Sequence, residues 1–394
     1  MKPLENVVVL DLSRVLAGPY ATMVLADLGA DVIKIEQPKI GDDSRQFGPF
    51  VDGESAYFMS LNRNKRSITL NLKDPKAKEI FKEMVKKADV VVENYRPGTM
   101  EKLGLGYDVL KEINPRIIYA ACSGFGQTGP DSKKAAYDVI VQGAGGIMSI
   151  TGHEDGEPTR VGASIGDITA GLFTAIGILT ALYNRTVTGK GQMVDVAMLD
   201  CQVAILENAI ARYVTTGVAP KPIGNRHLSI TPFEAFKAKD GYIIIAVGND
   251  NLWARFCNLI NRPELINDER FATNPLRTQN QKALKAILDT VFPTKTVDEW
   301  IEALEGAGIP CGPINTIDRV VNNRQVQARE MIVEVEHPVA GKLKMAGVPI
   351  KLSETPGSVD TPAPLLGQHT EEILKDFVGL TAEQIAELRE KEAI

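Results

Sequence analysis

Val7-Val8-Val9-Leu10-Asp11-Leu12, followed by the turn Leu16-Ala17-Gly18-Pro19, settles the architecture of this chain. An apolar run without alternation is the pattern of a strand buried on both faces. The Gly-Pro pair marks a turn, and helical spacing continues from there to Leu28. The unit then recurs. Val32-Ile33-Lys34-Ile35-Glu36 and Ser67-Ile68-Thr69-Leu70-Asn71-Leu72 read as strands, 75–87 as a helix, 89–93 as a strand, 107–112 as a helix and 116–121 as a strand. Strands that alternate with helices predict an α/β fold, with a mostly parallel sheet covered on both faces in a Rossmann-like large domain.

Further along, a long helix to Asn184, a turn at Gly189-Lys190-Gly191, a strand at 193–196 and a helix over 197–215 are expected. Gly and Pro between Gly217 and Arg226 break the pattern and mark a boundary. A hairpin turning at Lys239-Asp240-Gly241 and helices near 251–260, 279–291 and 297–305 predict a smaller α+β domain over 225–325. The large domain is then 1–200 completed by 335–394, with linkers at 201–224 and 326–334. From 317 onward, a helix over 317–330, strand-like segments around Val333 and Val348, and helices at 370–377 and 382–391 are expected.

With 394 residues and 44% hydrophobic content the chain can bury a large core, and its formal charge of −6 argues against a nucleic-acid partner. Cys122, Cys201, Cys257 and Cys311 show no paired metal or redox spacing, which suits a reducing cytosol. The start carries no apolar signal segment, and the longest apolar run is short for a bilayer and rich in Gly and Thr. A buried helix, no membrane partner and a cytoplasmic protein are the expectation.

Asp167 is the only charged side chain between Arg160 and Arg185, set in Gly166-Asp167-Ile168-Thr169-Ala170-Gly171 ahead of a long apolar helix. A carboxylate there must be hydrogen-bonded or functional, because an unpaired charge in low dielectric is costly. Two accounts stay open. Asp167 can be the N-cap of the helix, accepting from first-turn N–H groups. The same donors would keep it ionised near neutral pH, so it can also attack an activated acyl carbon, and Gly166 and Gly171 would let a ligand approach the backbone.

Other motifs mislead. Gly124-Phe125-Gly126-Gln127-Thr128-Gly129 matches GxGxxG, but Pro130, Asp131 and two lysines follow where a helix should begin. The first turn holds only Gly18, so a nicotinamide dinucleotide finds no glycine cradle. His153, His227, His337 and His369 form no HxxxH pair, and neither GxSxG nor a phosphate-binding GxxxxGK[ST] loop occurs. No metal site is expected.

Several segments together resemble the class III CoA-transferase family (CaiB/BaiF type): residues 7–19, Gly29-Ala30-Asp31-Val32-Ile33-Lys34-Ile35-Glu36, Asn64-Lys65-Arg66-Ser67, Glu93-Asn94-Tyr95-Arg96-Pro97-Gly98, 123–130, Gly166-Asp167, 189–199 and Gly224-Asn225-Arg226-His227. The likeness runs from residue 4 to about 375. It implies an interlocked, ring-like homodimer, acyl-CoA and carboxylate substrates, no tightly bound cofactor, and Asp167 as nucleophile through aspartyl anhydride and aspartyl-CoA intermediates. Such chemistry exchanges one thioester for another and needs an anionic Asp, an oxyanion site and excluded water.

By the same resemblance, the CoA contacts fall on Leu16, Ala17, Gln37, Leu70, Asn71, Leu72, Lys73, Asn94, Tyr95, Arg96, Lys102, Ala135, Ala136, Tyr137 and Asp138. Gln37 stands where an arginine is common, Lys102 replaces an arginine, and Ala135 stands where some relatives carry a lysine. The run Arg63-Asn64-Lys65-Arg66, with Lys73, can compensate for the lost cations or form a solvated basic edge. Arg45, Asn225 and His227 are candidates for the acceptor carboxylate, with an exposed arginine and a loop-capping histidine as the plain alternatives. Residues 41–49 and 224–230 look most like those of family members acting on small dicarboxylic acids, including acetyl-CoA:oxalate and formyl-CoA:oxalate types, so the resemblance implies a small mono- or dicarboxylate as acceptor. An α-methylacyl-CoA racemase is the rival on the same fold; its partner histidine is replaced here by Tyr137 in Ala136-Tyr137-Asp138, a poor base at pH 7. A non-catalytic acyl-CoA binder is the remote third reading.

Overall fold

The computed structural model describes residues 2–394. Its central feature is a six-stranded sheet of β1 (Val8–Asp11), β2 (Asp31–Glu36), β3 (Lys65–Thr69), β4 (Val90–Glu93), β5 (Ile118–Ser123) and β6 (Met193–Ala197), ordered β3-β2-β1-β4-β5-β6. Every neighbouring pair is parallel, and Val9 sits in register with Val32 on one side and Val90 on the other. Successive side chains point to opposite faces, so one strand feeds two cores. Leu10, Ile33 and Val91 pack under the helix Pro75–Lys87 together with Ile373, Leu374, Ile385 and Leu388 from the C-terminal segment. Val9, Val32 and Val90 pack on the other face against Leu25, Ile178 and Leu182.

Four helices cover the sheet or frame its carboxyl edge: α1 (Ala17–Asp27), α2 (Pro75–Lys87), α3 (Asp138–Ala144) and α4 (Ile165–Thr188). α2 begins as its sequence dictates, with Asp74 accepting from the N–H groups of Lys76 and Ala77 and Pro75 in the first turn. α4 is long and apolar enough to cross a bilayer, and half of its most apolar window is buried within the protein. One face, with Ala170, Thr174, Ile178 and Leu182, lies on the sheet and α1; Leu172, Phe173, Ile176, Tyr183 and Val187 are exposed. The expected wholly buried helix is therefore buried on one side only.

The glycines of α4 serve packing rather than ligand access. A Cβ on Gly171 would stand 2.7 Å from the carbonyl oxygen of Ala17, and one on Gly166 would stand 2.7 Å from Val141. These contacts seat α4 directly against α1 and α3, and they correct the expectation that both glycines leave room for a bulky ligand.

The chain divides into two compact units, one of Met1–Met148, Arg160–Val218 and Arg324–Ile394, the other of Ser149–Thr159 and Ala219–Asn323. The second holds the antiparallel sheet β9-β8-β7, formed by β7 (Phe233–Lys237), β8 (Tyr242–Ala246) and β9 (Cys311–Pro313). Its core is aromatic, with Phe236, Trp253, Phe256, Phe292 and Trp300 in mutual contact.

Several elements differ from the sequence pattern. The helix expected over 197–215 is two, Met198–Ile205 and Asn208–Thr216, broken where Glu207 takes a positive φ, so most of the expected linker 201–224 is helical. The helix over 317–330 is likewise split, at Asn322. The strand expected to start at Ser67 begins two residues earlier, with Lys65 paired to Asp11 inside the protein and Arg66 paired to Asp31 at its half-exposed edge. Val348 lies beyond its hairpin, which is formed by Ile332–His337 and Gly341–Ala346. The short helix Ala56–Leu61 and the hairpin before it carry no periodic signal.

Candidate active site

In an open parallel sheet, ligands settle outside the carboxyl ends of the strands where the strand order reverses. That point here lies between β1 and β4. A cavity of about 670 Å³ occupies it, walled by residues 14–17 after β1, 94–97 after β4, 122–124 at the end of β5, 134–137 ahead of α3, and Asp167 on α4, with Asp43, Gln46, Phe47 and Met198 completing the lining. Leu16, Ala17, Asn94, Tyr95, Arg96, Ala135, Ala136, Tyr137 and Asp167, far apart in sequence, thus share one cavity. Gly124 permits the closure of this wall, since a Cβ there would lie 2.2 Å from that of Ala136. Of the dinucleotide-like motif, Gly124 serves packing, while Gly126 and Gly129 take the positive φ of turns.

Asp167 is not an N-cap. The helix starts at Ile165 with Ser164 flanking it, which places Asp167 inside the first turn. The first-turn N–H of Gly166 is taken by Asp138, whose Oδ1 accepts it at 2.8 Å while Oδ2 accepts from Gln142. Among the described residues no hydrogen bond to the Asp167 carboxylate is found. Burial, and next the charge of Asp138, push the Asp167 carboxyl up to about 7. The expectation that helix-end donors hold it fully ionised is therefore corrected: near neutral pH it is roughly half ionised, and as an anion it is weakly solvated and reactive. Asp138, expected to touch CoA, is buried and braces α3 against the start of α4.

The wall beside it is built on strain. Val15 has φ of 67°, a left-handed conformation that a β-branched side chain rarely adopts. Its N–H donates to Asp42 Oδ1 at 3.0 Å, and Asp42 forms an ion pair with Lys34 at 2.8 Å, both side chains being buried. Lys34 also donates to the Ser13 carbonyl at 2.9 Å. On the other side, Asn94 accepts from the Arg14 N–H at 2.8 Å and donates to the Arg14 carbonyl at 2.7 Å. Burial alone would raise the Asp42 carboxyl; the adjacent Lys34 draws it well below the usual carboxylate range.

Further groups belong here that the sequence does not single out. Arg14 pairs with Asp43 at 2.9 Å and lies over the Tyr95 ring, and Lys134 sits one position before Ala135. Phe47 meets Tyr57 edge-on, and burial followed by the charge of Asp167 raises the Tyr57 phenol to about 12. Cys122 is pushed up to about 12 by burial, so it is a neutral thiol and no competing nucleophile. Their signals in the sequence are weak: Arg14 borders the first turn, and Lys134 adjoins the position where a lysine is lacking.

The remaining expected residues fall elsewhere. Gln37 lines a neighbouring pocket of about 120 Å³ that shares Tyr95 and Arg14 with the main cavity. Leu70 is buried in the core, Leu72 packs against it, Asn71 accepts from the Lys73 N–H, and Lys73 and Lys102 are exposed away from the 670 Å³ cavity. Arg45 is no carboxylate receptor for a ligand: its guanidinium makes two 2.7 Å bonds to Glu36, a third bond to the Pro364 carbonyl, and lies 3.6 Å over Phe58. The run 63–66 is neither a phosphate site nor a solvated edge. Arg63 grips Asp27, Lys65 bonds Asp11, Thr22 and Asn62, and Arg66 bridges Asp31 and Glu372. In the second unit, Asn225 lines a cavity of about 320 Å³ with Arg226 and Lys282, while His227 accepts from the Ser229 N–H and stacks on Phe233, capping its loop.

Comparison with known proteins points the same way. The sequence profile described as CoA-transferase family III matches residues 4–370. The succinyl-CoA:glutarate CoA-transferase of Mus musculus is 48% identical over 96% of this chain and 87% of its own. The acetyl-CoA:oxalate CoA-transferase of Acetobacter aceti is 45% identical over 95% of this chain and 96% of its own. A crystal structure of a CaiB/BaiF family protein from Brucella suis superimposes with a TM-score of 0.87 at 41% identity, covering 94% of this chain and 98% of that one.

Proposed function

From the premise that the chain belongs to CoA-transferase family III and is a transferase, we propose that it moves CoA from an acyl-CoA thioester to a small dicarboxylate, with Asp167 as the covalent nucleophile. The observation that carries this is the position of Asp167: a carboxylate without hydrogen bonds on the wall of the switch-point cavity. The Asp167 oxygen attacks the thioester carbonyl and expels CoA thiolate, leaving a mixed anhydride. The thiolate then attacks the aspartyl carbonyl, the donor carboxylate departs, and an aspartyl-CoA thioester remains. The acceptor carboxylate attacks that thioester and frees the thiolate again. Finally the thiolate takes the acceptor's acyl group, and the Asp167 carboxylate is regenerated. Over the whole cycle one thioester replaces another of similar energy, so positioning, stabilisation of the activated anhydrides and exclusion of water are the main demands.

Residues 94–96 and 14–17 line the cavity, with Arg14, Arg96 and Lys134 as its cations, and in this reading these hold the CoA. The dicarboxylate class follows from the curated relatives, named for glutarate, oxalate and mesaconate. An interlocked homodimer belongs to the same reading, supported by the exposed apolar side chains of α4. No histidine lines the cavity among the described residues, so the two-base requirement of a racemase has no second partner there.

The test is chemical trapping. Incubation with acyl-CoA alone, followed by hydroxylamine, should convert Asp167 to its hydroxamate, seen as a mass change on the peptide that contains it. Asp167→Ala should show neither the adduct nor transfer. An unmodified peptide during active turnover would overturn the assignment.

A further inference from the structure

We propose that Asp42 is a positioning residue of the transfer reaction: through its bond to the Val15 N–H it holds the left-handed turn that sets the 14–17 wall against Asp167. The inference rests on the reading of Asp167 as nucleophile.

Among the described residues of the cavity wall, Val15 is the one whose backbone opposes its own side chain. Left-handed geometry puts the Cβ of an L-residue too near the next carbonyl, and it persists only where the surroundings over-determine it. Released, Val15 would favour the ordinary conformation by about tenfold. The surroundings supply the restraint. The carboxylate that receives its N–H is buried, is oriented at the same oxygen by the N–H and hydroxyl of Ser44 at 2.8 and 2.7 Å, and is paired through its other oxygen with Lys34. Lys34 reaches round to the Ser13 carbonyl, so one ion pair grips the turn from both ends. Lys34 is fully buried on β2, a rigid base.

What the turn delivers is equally fixed. Leu16 and Ala17 come directly after Val15, and the Ala17 carbonyl lies against Gly171, one helical turn along α4 from Asp167. Relaxation of Val15 would swing this wall relative to the nucleophile. Misplacement by about 1 Å can cost on the order of a hundredfold in rate. Asp42 and Lys34 stand outside the main cavity, lining the neighbouring pocket of about 120 Å³, and their charged groups are buried against each other.

Paired neutral variants test this without leaving an orphaned charge. Lys34→Met with Asp42→Asn keeps an acceptor for the Val15 N–H; Lys34→Met with Asp42→Leu removes it. The expected result is a kcat at least tenfold lower for the leucine pair than for the asparagine pair, with the KM for acyl-CoA within threefold between them. Adding Val15→Gly, which takes the left-handed turn without strain, should recover most of that difference. Equal kcat in the two pairs, or no recovery by glycine, overturns the proposal. Should the pairs not fold, Ser44→Ala leaves the ion pair intact and should lower kcat severalfold, again with recovery by Val15→Gly; an unchanged kcat refutes the idea. Formation of aspartyl-CoA is followed by mass in every case. Its absence in the unsubstituted enzyme counts against the nucleophile, whereas equal rates of formation in both pairs count against Asp42 alone.

Discussion

A carboxylate that titrates near neutrality makes Asp167 sensitive to pH in a defined direction. Burial and Asp138 disfavour its charged form, and only the charged form attacks a thioester. kcat/KM for acyl-CoA should therefore climb with pH below about 7 and level off above it, as the free enzyme titrates; a flat profile between pH 5.5 and 8 contradicts this. Stability should move the opposite way. Because the folded carboxyl holds its proton more tightly than the unfolded one, the native state loses stability as pH rises from about 4 to about 7. Asp167→Asn should accordingly raise stability at pH 8 by roughly 1–2 kcal/mol, allowing for solvent screening, and by nothing near pH 4, measured by urea unfolding. Asp167 is legible in the sequence because a lone charge in an apolar helix is conspicuous. Its hydrogen-bonding state is not, because the competitor for the Gly166 N–H, Asp138, stands 28 residues away at the start of another helix, α3.

β3 shows what local reading misses at the level of an element. The basic run 63–66 that leads into it looks like a phosphate site, yet the partners Asp27, Asp31 and Glu372 are remote in sequence and invisible to spacing. Arg63→Ala should therefore unfold the protein more readily, by about 3–5 kcal/mol, because Asp27 is left buried without its cation and with only the Asn64 amide as a side-chain donor. The KM for acyl-CoA should stay within about twofold, a value expected of a residue that carries no phosphate contact. A large KM change at constant stability would return the run to the binding surface. The strands themselves are legible, since parallel strands covered on both faces read as unbroken apolar runs. Arg45 misleads for the same reason as Arg63: Glu36 ends a strand that looks complete without it.

Across the whole molecule, Tyr183 and Val187 are 75% and 77% exposed at the end of α4, beside an exposed Ile176 and Phe173. A contiguous apolar patch of this kind favours burial against another surface. Light scattering should give the mass of two chains, and Tyr183→Glu with Val187→Glu should shift the protein toward one chain or toward insolubility; an unaltered dimer would place the interface elsewhere. The large unit also draws its core from both ends of the chain, with Leu10 and Phe81 packed in one cluster with Ile373, Leu374, Ile385 and Leu388. On a ribosome, the sheet can be hydrogen-bonded by the time residue 197 emerges, but the face it shares with α2 is completed only when residues 373–388 have followed. A nascent chain stalled before residue 370 leaves that part of the greasy face in solvent, so truncation there should be punished by aggregation and chaperone capture far more than its distance from Asp167 suggests.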